Sequence, residues 1–440
     1  MIVESRAGTD NIPTVAGVQS TLSPQLLLRA RIVAPVSRPP IHDGAVVVSG
    51  ERIVAVGPSR DLAPRFSGKT LDLGEVVLLP GLINAHCHLD YTHMAGQFPP
   101  PKRFTDWIKL ITSTKAEWAY SEFAASWLAG AKMLLRTGTT TVGDIENVPE
   151  LLPEVWQATP LRVVSFLEMT GIRSRRAPKE ILQEAARCID ALPAGRCRAG
   201  LSPHAPYSTM PELVRLSAQR ARRRKWPVAI HLAESAQEFE MFMDGKGEMF
   251  DWLRRSQRDM SDCGKWSPVQ HLERCGALGD NLLAIHVNYL AEKDAALLAR
   301  RRVNIVHCPR SHSYFRHNPF PLRALSRPGI NLCLGTDSLA SVHKMRRETI
   351  ELNLFEETRA FADNHPNVAP KRILQMVTIN AARALGLKGQ AGELSPKAFA
   401  DLIAVPFTGK TAQVYDAVLH HAGNVAVSMI DGQWAIPLTM

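Results

Sequence analysis

The sequence predicts a (β/α)8 barrel of the α/β class carrying a small β-sandwich domain built from both chain ends. Between roughly residues 80 and 385, eight short apolar runs alternate with segments of helical spacing, the pattern of a parallel sheet closed into a barrel. Outside that stretch the texture changes. LLLRARIVAPVSRPPIHDGAVVVSGERIVAVG before it, and ADLIAVPF and AVSMIDGQWAI after it, read as short strands joined by tight turns. The expected division is 26–79 plus 386–440 for the composite β-domain and 80–385 for the barrel, with residues 1–25 a flexible tail.

Four runs open the barrel: LLPGLINAHCH to His88, TTTVGD to Asp144, RVVSFLEM to Met169 and CRAGLSPH to His204. Four complete it: VAIHLAE to Glu234, LLAIHVN to Asn288, VNIVHCP to Pro309 and NLCLGTD to Asp337. Most end in His, Glu or Asp, and strand C-termini in such a barrel form its catalytic mouth.

Composition narrows the function classes. With 440 residues, 45% hydrophobic and 21% charged, the chain is ordinary for a globular protein and excludes wholesale disorder. No run approaches the roughly 18 uninterrupted apolar residues of a membrane span. Seven cysteines without a C-x-x-C pair fit free thiols in a reducing compartment, so the predicted address is the cytoplasm. The net charge of +10 would suit a nucleic-acid binder, but arginine is dispersed along the chain. Its one dense run, Arg220 to Lys225, precedes the fifth strand and reads as a solvated helix end on the face opposite the mouth. The expected partner is therefore a small molecule, with neither nucleic acid nor membrane; a homodimer stays open.

His86 and His88 lie two apart on a strand, so both imidazoles project to one side. His231 and Asp337 end the fifth and eighth runs. Three neutral imidazoles and a carboxylate suit a divalent metal that keeps a position for water. Zinc is the expected ion; iron and manganese accept the same donors. Taken singly, each residue has a plainer explanation: a hydrogen-bonded core histidine, or for Asp337 a helix N-cap. Together, all at strand ends, they point to one centre. A metal lowers the pKa of bound water from 15.7 toward roughly 7, and His286 and Asp337 are placed to complete its deprotonation. Glu234, three residues beyond His231, is then the proton shuttle to substrate and leaving group.

With these residues in view, the chain resembles the amidohydrolase superfamily. The branch is that of S-adenosylhomocysteine, aminodeoxyfutalosine, guanine and cytosine deaminases and the triazine hydrolases. The resemblance rests on GLINAHCH, TGTTTVGD, SPHAPYS, HLAES, HCPRSH, LGTDSLAS and TINAARALGL, flanked by GERIVAVG and ADLIAV. It implies a mononuclear site ligated by His86, His88, His231 and Asp337, with Glu234 and His286 as acid–base residues. Binuclear members carry a carboxylated lysine at the end of strand four, where this chain has His204. One ion per chain is therefore implied, and His204 takes the role of facing the substrate. Two stretches depart from the branch: CPRSH puts His312 where relatives have Asn, and SLASVHKMRRE replaces a common S-L-A-S-N.

On the mouth side, Arg173, Arg175 and Arg176 follow strand three and Arg310 follows strand seven. Arginine there could clamp an anionic tail, and Arg310 with His312 is the expected clamp. Phe98, Phe104 and Trp107 in the loop after His88 are expected to form a lid that stacks on a flat ring. The leading expectation is hydrolytic deamination of an aminated, purine-like heterocycle. The same site could instead expel halide from a triazine or open a cyclic amide. A non-catalytic scaffold would have lost ligands, and all four are present.

Overall fold

The structure, a computed structural model, describes residues 25–172 and 176–436. The expected tail falls outside the described residues except for Gln25, which already opens the first strand.

Five strands come first: β1 (Gln25–Val33), β2 (Ile41–Ser49), β3 (Arg52–Pro58), β4 (Lys69–Asp72) and β5 (Val76–Pro80). Three more follow the barrel: β14 (Leu402–Pro406), β15 (Val427–Ile430) and β16 (Gln433–Ile436). Together they form one hydrogen-bonded path, β16-β15-β14-β5-β1-β2-β3, with β4 alongside β1. The antiparallel pairing of β14 with β5 joins the two chain ends, Leu402 opposite Pro80 through Pro406 opposite Val76. Leu28, Val46, Val48, Leu78, Leu402 and Met429, from five of these strands, share one core.

Between them run the barrel strands: β6 (Leu82–Cys87), β7 (Thr139–Glu146), β8 (Arg162–Met169), β9 (Arg198–Pro203), β10 (Val228–Leu232), β11 (Leu282–His286), β12 (Asn304–His307) and β13 (Asn331–Leu334). They pair in chain order, each parallel to the next. All eight expected strands are present. Nearly every residue in them is buried, because one side fills the barrel and the other packs on helices. Ile83, Val164, Phe166, Leu283, Ile285 and Val306 fill the interior. The ring closes where β6 meets the end of β13. There the Asp337 N–H donates to the His86 carbonyl at 3.2 Å, and a bridge links Cys87 to Asp337. Asn84 stitches the same seam, its Nδ2 donating to Thr336 Oγ1 at 2.7 Å and its Oδ1 accepting the Thr336 N–H at 3.1 Å.

The basic run closes helix Pro211–Arg224 at the bottom of the barrel, where Arg224 pairs with Asp190 and Arg222 donates to the Gly276 carbonyl. Its side chains cap helix ends far from the mouth, as the sequence suggested. All seven cysteines are free, and no helix among the described residues is long and apolar enough to cross a membrane.

One buried ion cluster fastens the small sheet to the barrel. Arg162, opening β8, donates to both Asp401 carboxylate oxygens at 3.0 and 3.3 Å, also pairs with Asp431, and stacks on Phe399. Removing one partner of a buried pair strands the other charge, at a cost of about 3–5 kcal/mol. Arg162→Met should lower unfolding stability by about that amount in a denaturant titration, and Arg162→Met with Asp401→Leu should recover part of it. A single-variant loss below about 1 kcal/mol, the range of exposed pairs, would show that the cluster does not hold the two parts together.

Candidate active site

His86 reaches the mouth through an irregularity. Ile83 and Ala85 belong to the interior cluster, so strict alternation would turn His86 outward. Between Asn84 and Cys87, however, β6 slips by one residue against β7, and this bulge redirects His86 and His88 inward. Gly335 gives the imidazole room, because a Cβ there would lie 2.7 Å from the His86 carbonyl oxygen and 2.9 Å from its Cβ. The ends of three other strands are also bent. Ala233, His286, Val287 and Asp337 all have positive φ, between 48° and 71°, a conformation costly for residues with a Cβ and concentrated at functional sites.

These bends bring together five side chains from the ends of four strands. Nitrogens of His86, His88 and His231 lie within 4.8 Å of one another, as do ligand atoms of His86, His286 and Asp337. His86 Nε2 and His88 Nε2 are 3.4 and 3.7 Å from Asp337 Oδ1. His231 Nδ1 faces the His204 carbonyl at 3.1 Å, which requires the proton on Nδ1 and leaves Nε2 a bare lone pair. That lone pair points at His88 Nε2, 3.3 Å away. His86 Nε2 is buried with no hydrogen-bond partner. A cation resolves all three features, so the residues present fit a divalent ion.

Burial dictates the protonation states. It pushes His88 and His286 well below the usual imidazole range and His231 to about 3, so these rings are neutral and able to ligate. It pushes the Glu234 carboxyl well above the usual carboxylate range, reinforced by the charges of Asp337 and Glu238. Glu234 Oε1 lies 3.4 Å from His286 Nε2. Asp337 Oδ2 accepts from Ser311 Oγ at 2.6 Å and Ser341 Oγ at 3.1 Å.

Above this cluster opens a cavity of about 650 Å³, bordered by His88, His231, Glu234, His286 and Asp337 at one end. His204 borders it, its Nδ1 2.5 Å from Ser208 Oγ and its Nε2 3.7 Å from Glu168 Oε1. Trp107 borders it too, packed edge-on against Phe315 and carried by the 14-residue helix Phe104–Glu117, where the sequence suggested only a loop. Phe104 lines the same wall, whereas Phe98 is buried beneath it with Tyr91 and Met94.

Other expected substrate contacts are placed differently. Arg310 does not border the cavity. Its Nε donates to Glu357 at 2.5 Å, its Nη1 pairs with Glu356, and its Nη2 donates to the Glu351 carbonyl at 2.8 Å. These bonds tie the guanidinium to helix Leu354–Asn364 and to the segment just before it. His312 does not border the cavity either; its Nδ1 meets Asn288 Oδ1 at 3.1 Å. Arg173 and Arg175 lie outside the described residues, and Arg176 turns to Glu184. Sequence reading missed Glu168 and Lys115, both of which line the cavity. Glu168 was legible, since it lies two residues beyond the interior-facing Phe166 on the same strand.

Comparison with known proteins agrees with this geometry. Residues 77–435 match the amidohydrolase family. The chain is an amidohydrolase. A shorter stretch, 44–66, matches the bacterial imidazolonepropionase-like composite domain. This amidohydrolase is 33% identical over 396 residues to the 5-methylthioadenosine/S-adenosylhomocysteine deaminase of Syntrophobacter fumaroxidans, covering 86% of this chain and 83% of the relative. Its fold superposes on an adenosine deaminase from Xanthomonas campestris with bound zinc, with TM-score 0.80, 26% identity and coverage of 94% and 93%. It also superposes on the Helicobacter pylori aminofutalosine deaminase in complex with methylthio-coformycin, with TM-score 0.81, 23% identity and coverage of 93% and 100%. As a family member it is a hydrolase of non-peptide carbon–nitrogen bonds in cyclic amidines, and the family binds a divalent metal.

Arg310→Met should leave KM within about twofold and instead lower stability by about 3 kcal/mol, because Glu357 is fully buried and would lose its counter-charge. A large KM rise at unchanged melting temperature would return Arg310 to the substrate.

Proposed function

We propose that this amidohydrolase deaminates an aminated, purine-like heterocycle, a nucleoside-type compound being the first class to test, using one divalent ion, zinc. The observation that carries the reading is a buried Glu234, its carboxyl pushed up by burial, beside convergent imidazole and carboxylate donors lining an aromatic-walled cavity. The relative from Syntrophobacter, named for 5-methylthioadenosine and S-adenosylhomocysteine, and the zinc-bound adenosine deaminase support the substrate class and the metal.

His86, His88, His231 and Asp337 would hold the ion, which when bound supplies the acidity that makes water a nucleophile near neutral pH. The serine hydroxyls on Asp337 Oδ2 keep its other oxygen turned to the centre. Glu234 donates its proton to a ring nitrogen, removing the negative charge that attack at the amine-bearing carbon would leave there. It then recovers a proton from the attacking water and passes it to the departing amine; as ammonia leaves, the remaining hydroxyl proton returns to Glu234, so C–NH2 and water become C=O and ammonia. His286, neutral and in contact with Glu234, is the second acid–base group. His204 orients the ring from the side, and Trp107 offers it a flat apolar face.

Elemental analysis should find one divalent ion per chain; two would contradict the single-ion reading. Glu234→Gln should keep the ion and lower ammonia release about a hundred- to ten-thousandfold. A panel of aminated and chlorinated heterocycles decides the leaving group, and chloride release without ammonia would overturn deamination.

A further inference from the structure

His312 is a sequence feature the site leaves unexplained: a half-buried histidine behind the cavity rather than in it. Its surroundings assign it a task. Glu234 sits on a tight turn entered through Ala233 at φ 48°. The turn's amides are held from one side, where the Glu238 carboxylate accepts the N–H groups of Ala233 at 3.1 Å and Glu234 at 2.8 Å. From the other side, the Asn288 N–H donates to the Ala233 carbonyl at 3.0 Å, and Asn288 Nδ2 donates to the Glu234 carbonyl at 2.9 Å. Only the last bond depends on which way a side-chain amide faces, because a rotated amide would set oxygen against oxygen.

His312 fixes that choice. Asn288 Oδ1 is an acceptor only, so the imidazole nitrogen 3.1 Å from it must carry a proton. Burial pushes the ring's pKa down to about 4, opposed by a hydrogen bond with the Asn318 backbone, so the neutral ring has one N–H and the Asn288 bond requires it on Nδ1. The ring is wedged among His307, His317 and Phe320, which prevents it from turning away.

We infer that His312 is a positioning residue for Glu234: its Nδ1–H locks the Asn288 amide, and the locked amide holds the Glu234 carbonyl and hence the carboxyl's angle to the substrate. This rests on Glu234 being the proton carrier. Asparagine Nδ2 stands the same number of bonds from Cα as histidine Nδ1, so either residue brings an N–H to the same point.

The substitutions separate the donor from the ring. His312→Phe keeps the packing and lacks the N–H; His312→Asn keeps the N–H and loses the ring. His312→Phe should lower kcat about tenfold or more, as misplacement of a catalytic group does, with KM and metal content unchanged. His312→Asn should recover most of the loss. If His312→Phe does not fold, His312→Gln, whose donor lies one bond too far out, should show the same kcat-only defect. Wild-type kcat in His312→Phe or His312→Gln, a defect confined to KM, or an Asn variant no better than Phe would each overturn the inference. Full turnover in Glu234→Gln would instead remove the proton-carrier reading beneath it, so the two failures are distinguishable.

Discussion

The barrel's closing seam is the constraint on which the site depends. A ring of eight strands must join its first to its last, and here the joining hydrogen bonds are made by the same peptides that carry His86, His88 and Asp337. The His86 carbonyl and the Asp337 N–H are bonded, and the Asn84 side chain pins Thr336 on the turn before. Ligand spacing is thereby set by main-chain geometry rather than by flexible side chains. The positive φ at Asp337 and the glycine at 335 follow from this closeness, since an ordinary strand end could not bring a carboxylate against two imidazoles.

Burial then does the chemical tuning. The same exclusion of water that favours neutral imidazoles pushes the Glu234 carboxyl up, so one cause acts on the bases and the acid of the site in opposite senses. Asp337 goes the other way: against the effect of burial, the imidazoles of His86, His286 and His88 hold its carboxyl well below the usual range.

Much of this was legible in the sequence. Eight apolar runs gave eight strands, and the residues ending them meet at the mouth, because strand polarity alone decides which end of a parallel barrel a C-terminal residue occupies. What the sequence withheld were choices made by tertiary contacts. The bulge in β6 that turns His86 inward leaves no trace in an H-x-H spacing. Arg310 and a substrate clamp look alike until Glu356 and Glu357, some 46 residues on in the chain, are seen to take the guanidinium. His312 stood one bond network behind the cavity, and only the Asn288 amide reveals what it touches.

The seam also orders events in the life of the chain. Synthesis runs from β6 to β13, so a nascent polypeptide displays its three imidazoles long before the carboxylate that completes the set. The seam can form only after β13 has been made, so Asp337 is the last of the clustered donors to take its place and the cluster is complete only when the ring is.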